Sequence, residues 1–329
     1  VRHAAVPVLA LFLGLAACGC EDSFSPKETF LPKSYLYCIF NYARLEKSIQ
    51  FALVNRSYDV DGTNPRVNTV DPFVDGAEIR LTIRRVSYEF RKQVSGPSDT
   101  TRYGSPFRYY SARNVPLFPL DTVLVAAYLP DKTVLTGWTI IPAAKPVSSQ
   151  PVYAVGFTTQ VNHFTQGNDY VLDWDDGSHD EHLFFPSLTI SYVRHDDDTL
   201  VWLEKRIPLR YLDQGGQRVA VYPSPATIPH LVFPFAVIDE AMRELSAGDS
   251  VTSRYSPRTL SFRVVDCDFA LSRYYMSVNG AMDQFSLRLD ESTYSNVQGG
   301  GGIIGATNTY GIDYEFDPRY VKLFGYSYR

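Results

Sequence analysis

The densest group of residues able to do chemistry is Asp173-Trp174-Asp175-Asp176-Gly177-Ser178-His179-Asp180-Glu181-His182. Its carboxylates suit a hard cation, and its two imidazoles, spaced i,i+3, suit a transition metal. The order departs from a helix-loop-helix calcium site, which alternates oxygen ligands before a glycine and closes on a Glu at its twelfth position. Asp-Asp-Gly is also ordinary hairpin chemistry. The stretch reads first as a solvated loop and second as a metal site. Ser57-Tyr58-Asp59-Val60-Asp61-Gly62-Thr63-Asn64 has oxygens at its first, third and fifth positions and glycine at its sixth. Its twelfth residue, Asn68, has no carboxylate, and Pro65 breaks the helix that should follow. It reads as a loop between strands. Gly300-Gly301-Gly302-Ile303-Ile304-Gly305 matches GxGxxG. A dinucleotide site needs a helix after the glycines and an acidic residue about twenty positions on. Here the remaining residues are aromatic and strand-like and include Pro318, so the glycines read as a tight turn before a terminal strand. Neither GxSxG nor His-Glu-x-x-His occurs, and His163, His195 and His230 stand alone. No catalytic, cofactor-binding or metal-ligating residue is assigned on this reading, and no cofactor is expected.

The chain that must position these residues has 329 residues and a formal net charge of −5. With 45% hydrophobic and 20% charged residues it has the composition of a folded body, not of a disordered chain. No block of Lys and Arg is present, which argues against nucleic acid as a partner. Twenty Phe and 23 Tyr against three Met favour strands over helices.

Val1, read as an alternative start, and Arg2-His3 precede an apolar run over 4–17, too short to span a bilayer and shaped like a secretory signal. It ends in Leu15-Ala16-Ala17-Cys18, which resembles the lipobox of bacterial lipoproteins. The resemblance implies cleavage after Ala17 and a thioether-linked diacylglyceryl group on Cys18, the lipidation site. Two or three acyl chains make such an anchor effectively permanent. Residues 1–17 are therefore expected to be the signal peptide and 18–33 a lipidated tether. Among the remaining cysteines, Cys38 and Cys267 both sit in strand-like contexts, either as a disulfide or as two core thiols.

Beyond the tether, period-two alternation dominates. Ile49, Phe51 and Leu53 predict a strand with one buried face, as do Ile79, Leu81 and Ile83. After Arg84-Arg85 the apolar phase slips to Val86, Tyr88 and Phe90, which predicts a β-bulge. Residues 122–129 and 133–141 flank Pro130-Asp131-Lys132 as a hairpin. Further strands are expected around Leu188, Ile190 and Tyr192, across 200–203, and around Leu260, Phe262 and Val264 and Phe285, Leu287 and Leu289. One helix is predicted, with Ile238, Ala241, Met242 and Leu245 on one face, Pro234 before it and Gly248 after it. The proline-rich stretch 141–151 marks a boundary. The expected fold is all-β: a β-sandwich over 34–145 and a second β-rich sandwich over 146–329 carrying the short helix.

Lipobox, tether, Tyr35-Leu36-Tyr37-Cys38, Asn55-Arg56-Ser57-Tyr58, Asp75-Gly76-Ala77-Glu78-Ile79, Thr139-Ile140-Ile141-Pro142, Tyr294-Ser295-Asn296-Val297 and the glycine run follow in this order. The set resembles the Bacteroidota-type cell-envelope lipoproteins of unknown function, although an aromatic residue usual in that family is replaced by Ile304. The resemblance implies immunoglobulin- or fibronectin-like modules and an outer-membrane location, periplasmic or surface facing, often beside TonB-dependent transporters. Asp121-Thr122-Val123, Asp198-Thr199-Leu200 and Asp249-Ser250-Val251 resemble the O-glycosylation tripeptide of these bacteria. The expectation is a non-catalytic accessory or binding protein anchored in the membrane and partnering a transporter or surface glycan. The alternative is a carbohydrate-active or peptidase-like envelope enzyme using 173–182.

Overall fold

Ser34–Tyr42 (β1) is apolar at both parities, a pattern suited to a strand covered on both faces. In the computed structural model it lies inside a nine-stranded sheet. The structure describes residues 30–42, 49–59, 70–96, 106–150, 161–162, 169–174, 182–196, 199–277 and 294–328. They are mostly β. The strands expected at 122–129, 133–141, 188–192, 200–203 and 260–264 are all present. The strand expected around Phe285 falls outside the described residues, as do residues 1–29 with Cys18 and Cys20.

From one edge, the large sheet runs Thr199–Arg206 (β13), Phe184–Asp196 (β12), Tyr255–Cys267 (β17), Gly301–Phe316 (β18), β1, Gln50–Arg56 (β2), Arg108–Ala112 (β6) and Arg91–Val94 (β5). A two-residue strand, Val161–Asn162 (β10), pairs with the far end of β18. Neighbours are antiparallel except at β1–β18, where Tyr35 pairs with Gly301 and Tyr42 with Asn308, and at β10–β18. Strands from opposite ends of the sequence thus lie side by side at the middle of the sheet. The glycine run makes this contact. It turns at Gly299 and Gly300, and the strand starts at Gly301. Gly302 has φ +113°, and a Cβ there would stand 2.0 Å from the Leu36 carbonyl oxygen.

Parity sorts the side chains of this sheet. Leu36, Cys38 and Phe40 of β1, with Ile304 and Ala306 of β18, face a second sheet of Val86–Glu89 (β4), Glu78–Ile83 (β3), Thr122–Tyr128 (β7) and Val134–Ile140 (β8), enclosing one core. Farther along the same face, Leu260, Phe262, Tyr310 and Tyr314 meet Tyr170, Leu172 and Trp174 and the helix Phe235–Arg243 (α1) in a second core. This part is roofed by the three-stranded sheet His230–Phe233 (β16), Tyr170–Asp173 (β11) and Ser148–Gln150 (β9). The hairpin Arg210–Gln214 (β14) and Gln217–Val221 (β15) turns through Gly215 and Gly216. On the opposite face, Tyr37, Ile303 and Cys267 are covered by the helix Phe269–Ser277 (α2).

Three local expectations are corrected. In β2 the buried residues are Gln50, Ala52 and Val54, whereas Ile49 and Phe51 are exposed. Gln50 tolerates burial because its side-chain amide bonds both backbone groups of Asn41, accepting from the N–H and donating to the carbonyl. Phe51 packs on the outer face against Tyr109. At Arg84-Arg85 there is no bulge but a two-residue hairpin turn, with φ 48° and 68° and Ile83 paired to Val86. Both central residues at positive φ match the twist of the flanking strands. Arg84 is held there by two hydrogen bonds to the Asp121 carboxylate, at 2.7 and 2.6 Å. Finally, helix α1 lies where it was expected, with Leu245 buried just beyond it, but α2 and Pro318–Leu323 (α3) add two more. Asp317 caps α3 by accepting from Arg319 N–H, with Pro318 in the first turn; six residues are too few for periodicity to reveal.

Cys38 and Cys267 are both free and buried. They face opposite sides of the sheet with β18 between their strands. Two strand spacings amount to about 9–10 Å, beyond the roughly 7 Å a disulfide spans. Burial pushes both thiols up, away from the reactive thiolate. Iodoacetamide is therefore expected to spare both in native protein and to modify both in denaturant without reductant. A peptide linking Cys38 to Cys267 in a non-reducing map would contradict this placement.

Candidate functional site

Residues 175–181 of the acidic and histidine cluster lie outside the described residues. The two titratable members at its ends have separate partners. Asp173, at the end of β11, pairs across the strands with His230 of β16 at 2.7 Å, both about half exposed. A pair this exposed contributes little stability. His182 places Nδ1 2.7 Å from Oδ1 of Asp266, a residue of β17 with no solvent exposure. Among the described residues no group of three or more His, Cys, Asp and Glu is arranged to hold a metal ion.

The His182–Asp266 pair belongs to a polar seam between the two cores on one face of the large sheet. Asp266 sits opposite Asn308 in the β17–β18 ladder, and both are fully buried. Asn308 donates from Nδ2 to the Pro142 carbonyl at 2.8 Å, which ties the 141–147 connection to the sheet. Lys145 of that connection is buried with its ammonium 5.1 Å from the Phe184 ring centroid. Desolvation raises the pKa of Asp266, opposed by His182, Lys145 and Tyr310. Asp268, two residues on, caps α2 by accepting from Leu271 N–H at 2.7 Å. Its other oxygen is buried with no hydrogen-bond partner among the described residues. Burial pushes this carboxyl up to about 7, with the Leu271 N–H bond, the Ala306 backbone and His182 pulling the other way.

A carboxyl that takes up its proton more readily in the fold than in the unfolded chain stabilises the fold fully below its unfolded pKa. That contribution is lost as pH rises through the folded value. For Asp268 the window runs from about 4 to about 7. Asp75, Asp131 and Asp196 shift the opposite way, so their contributions are lost only below the ordinary carboxylate range. The urea midpoint is therefore expected to rise as pH falls from 8 to 5. Asp268→Asn, which keeps the cap acceptor, should reduce that slope, with Asp266, also raised by burial, supplying the remainder. An unchanged slope would contradict the assignment.

The other singled-out residues lie apart. Of the calcium-like loop, residues 57–59 are described, and the Ser57 hydroxyl accepts from Lys33 N–H. The glycine run builds the β1–β18 contact, with a strand rather than a helix after it. His195 lies near the end of β12, where its carbonyl accepts from Arg254, and His163 is outside the described residues. Of the O-glycosylation tripeptides, Thr122 and Ser250 are exposed, and Asp198 is outside.

Two aromatic surfaces lie outside the expected sites. Phe107 just before β6, Tyr109 of β6 and Phe51 of β2 form a row of rings, with centroids 5.6–5.8 Å apart. On the second sheet, Leu124 pairs with Trp138 and Tyr128 with Val134, and all four are exposed. The signal was present in the sequence, because 122–129 and 134–141 are apolar at both parities although one parity alone fills the core. Among the described residues no helix is long and apolar enough to cross a membrane. Compared with known proteins, the chain matches no family model and no curated sequence.

Proposed function

We propose that the protein is a lipid-anchored, non-catalytic accessory or binding protein of the outer membrane. In this reading, immunoglobulin- or fibronectin-like β-sandwich modules present aromatic faces to a TonB-dependent transporter or a surface glycan. The observation that carries it is Leu15-Ala16-Ala17-Cys18 directly after the apolar run. The two facing sheets around Leu36, Ile79 and Ile304 support the sandwich part, and the exposed rings of Trp138 and Phe51 support the binding part. An anchor confines the body near its partner and so raises their effective concentration. Tagged protein drawn from native membranes in mild detergent is expected to bring an outer-membrane barrel with it, and Cys18→Ala to lose that barrel. Recovery of the wild type alone would count against the transporter partner.

The enzyme alternative draws on one observation, the His182–Asp266 pair beside the acidic stretch. It predicts stoichiometric metal in purified protein, lost on replacing His179 and His182. Metal-free protein would remove the metal-dependent form of this reading.

A further inference from the structure

The outward face of β7 and β8 is mostly apolar, with Thr136 in its middle and Thr122 at its far end. Leu124, Tyr128, Val134, Trp138 and Ile140 are 41–57% exposed, and cross-strand pairing sets them in one strip. On the neighbouring strand β3 the outward residues are Glu78, Arg80 and Thr82, so one half of the face is apolar and the other polar. The chain enters the folded body at the turn end of this strip. Ser57 N–H donates to the Lys33 carbonyl, Arg56 pairs with Asp131 of the β7–β8 turn, and 31–34 line one cleft with Asp131 and Thr133. Eleven residues separate Cys18 from Phe30, a span of at most about 40 Å when extended and roughly 20 Å as a coil. Val134 stands at the turn, and Trp138, four residues along β8, is about 14 Å beyond it. Lys33 and Lys132 are exposed at the same end.

We propose that this strip rests on the lipid surface to which Cys18 anchors the chain, with Trp138 and Tyr128 at headgroup level and Glu78 and Arg80 at the wetted rim. The inference rests on the lipid-anchor reading, and the short tether is what selects lipid as the occupant. Trp and Tyr suit such a layer because each has an apolar ring and a polar edge.

The test uses the full lipidated chain in vesicles of phosphatidylethanolamine and phosphatidylglycerol with brominated acyl chains. Flotation reports the anchor, and tryptophan quenching reports the face. The chain has three tryptophans: Trp138, Trp174 in the core, and Trp202 exposed on the distant edge strand β13. Trp202→Phe is expected to float and lose most of its Trp138 emission, and Trp138→Phe to float and keep its emission. Flotation with neither variant quenched would overturn the proposal while leaving the anchor in place. Equal quenching of both would overturn it too, since no face would then be selected. So would shielding of Trp138 from acrylamide without lipid quenching, which would assign the strip to a second copy or a protein partner. Failure to float would overturn the anchor, and this proposal with it.

Discussion

Gly302→Ala is expected to destabilise the protein by about 4 kcal/mol or more, a large fraction of the stability of an ordinary domain. Two independent costs add at this position. The backbone holds φ +113°, which side-chain-bearing residues rarely adopt, and the new Cβ would lie 2.0 Å from the Leu36 carbonyl oxygen. That oxygen belongs to β1, the buried partner of β18, so relief requires parting the two strands that join the sheet at its middle. Gly215→Ala supplies the comparison. It also has positive φ, but nothing lies within 4 Å of its added Cβ, and the expected cost is about 1 kcal/mol. Urea midpoints of the two variants check the pair. Equal midpoints would show that the β1–β18 approach is looser than described.

His182→Ala is expected to cost about 3–5 kcal/mol near neutral pH, because it leaves the Asp266 carboxylate buried without its imidazole partner. The cost should shrink in acid, where Asp266, already raised by desolvation, takes up a proton instead. His182→Asn keeps a side-chain donor near the Nδ1 position and should recover much of the loss. The double variant with Asp266→Asn should fall less than the sum of the single changes, since no charge is then stranded. Urea titrations of the four proteins at pH 5 and pH 8 check this. A small, pH-independent loss in His182→Ala would mean that the pair is not a structural charge pair.

What could be read in the sequence was local. The β7–β8 hairpin announces itself through Pro130-Asp131-Lys132 between two apolar runs, and α1 through Pro234, Gly248 and one apolar face. What could not be read depends on partners distant in sequence. Gln50 looks like a surface residue until the Asn41 backbone is beside it. Arg84-Arg85 looks like a phase slip until Asp121 holds the turn. The glycine run could be recognised as turn and strand, yet its close approach to β1 pairs Gly301 with Tyr35, and no local pattern encodes that separation. Within the candidate site, His182 stood out in an acidic stretch, whereas its partner Asp266 is 84 residues away and reads as an ordinary strand position. The apolar strip on β7 and β8 was visible as doubled parity, and its significance emerges only once the opposite parity is seen to fill the core.

The proposed function requires that Cys18 carry a lipid that ties this β-rich body to a membrane. Intact-mass analysis of the protein extracted from its native membrane tests it most directly. The expected result is a chain beginning at Cys18, with a mass increment that diacylglyceryl and a further acyl group explain, and return of Cys18→Ala to an unmodified, uncleaved or soluble form. A mature chain that begins elsewhere, or an unmodified Cys18 in the soluble fraction, would contradict it.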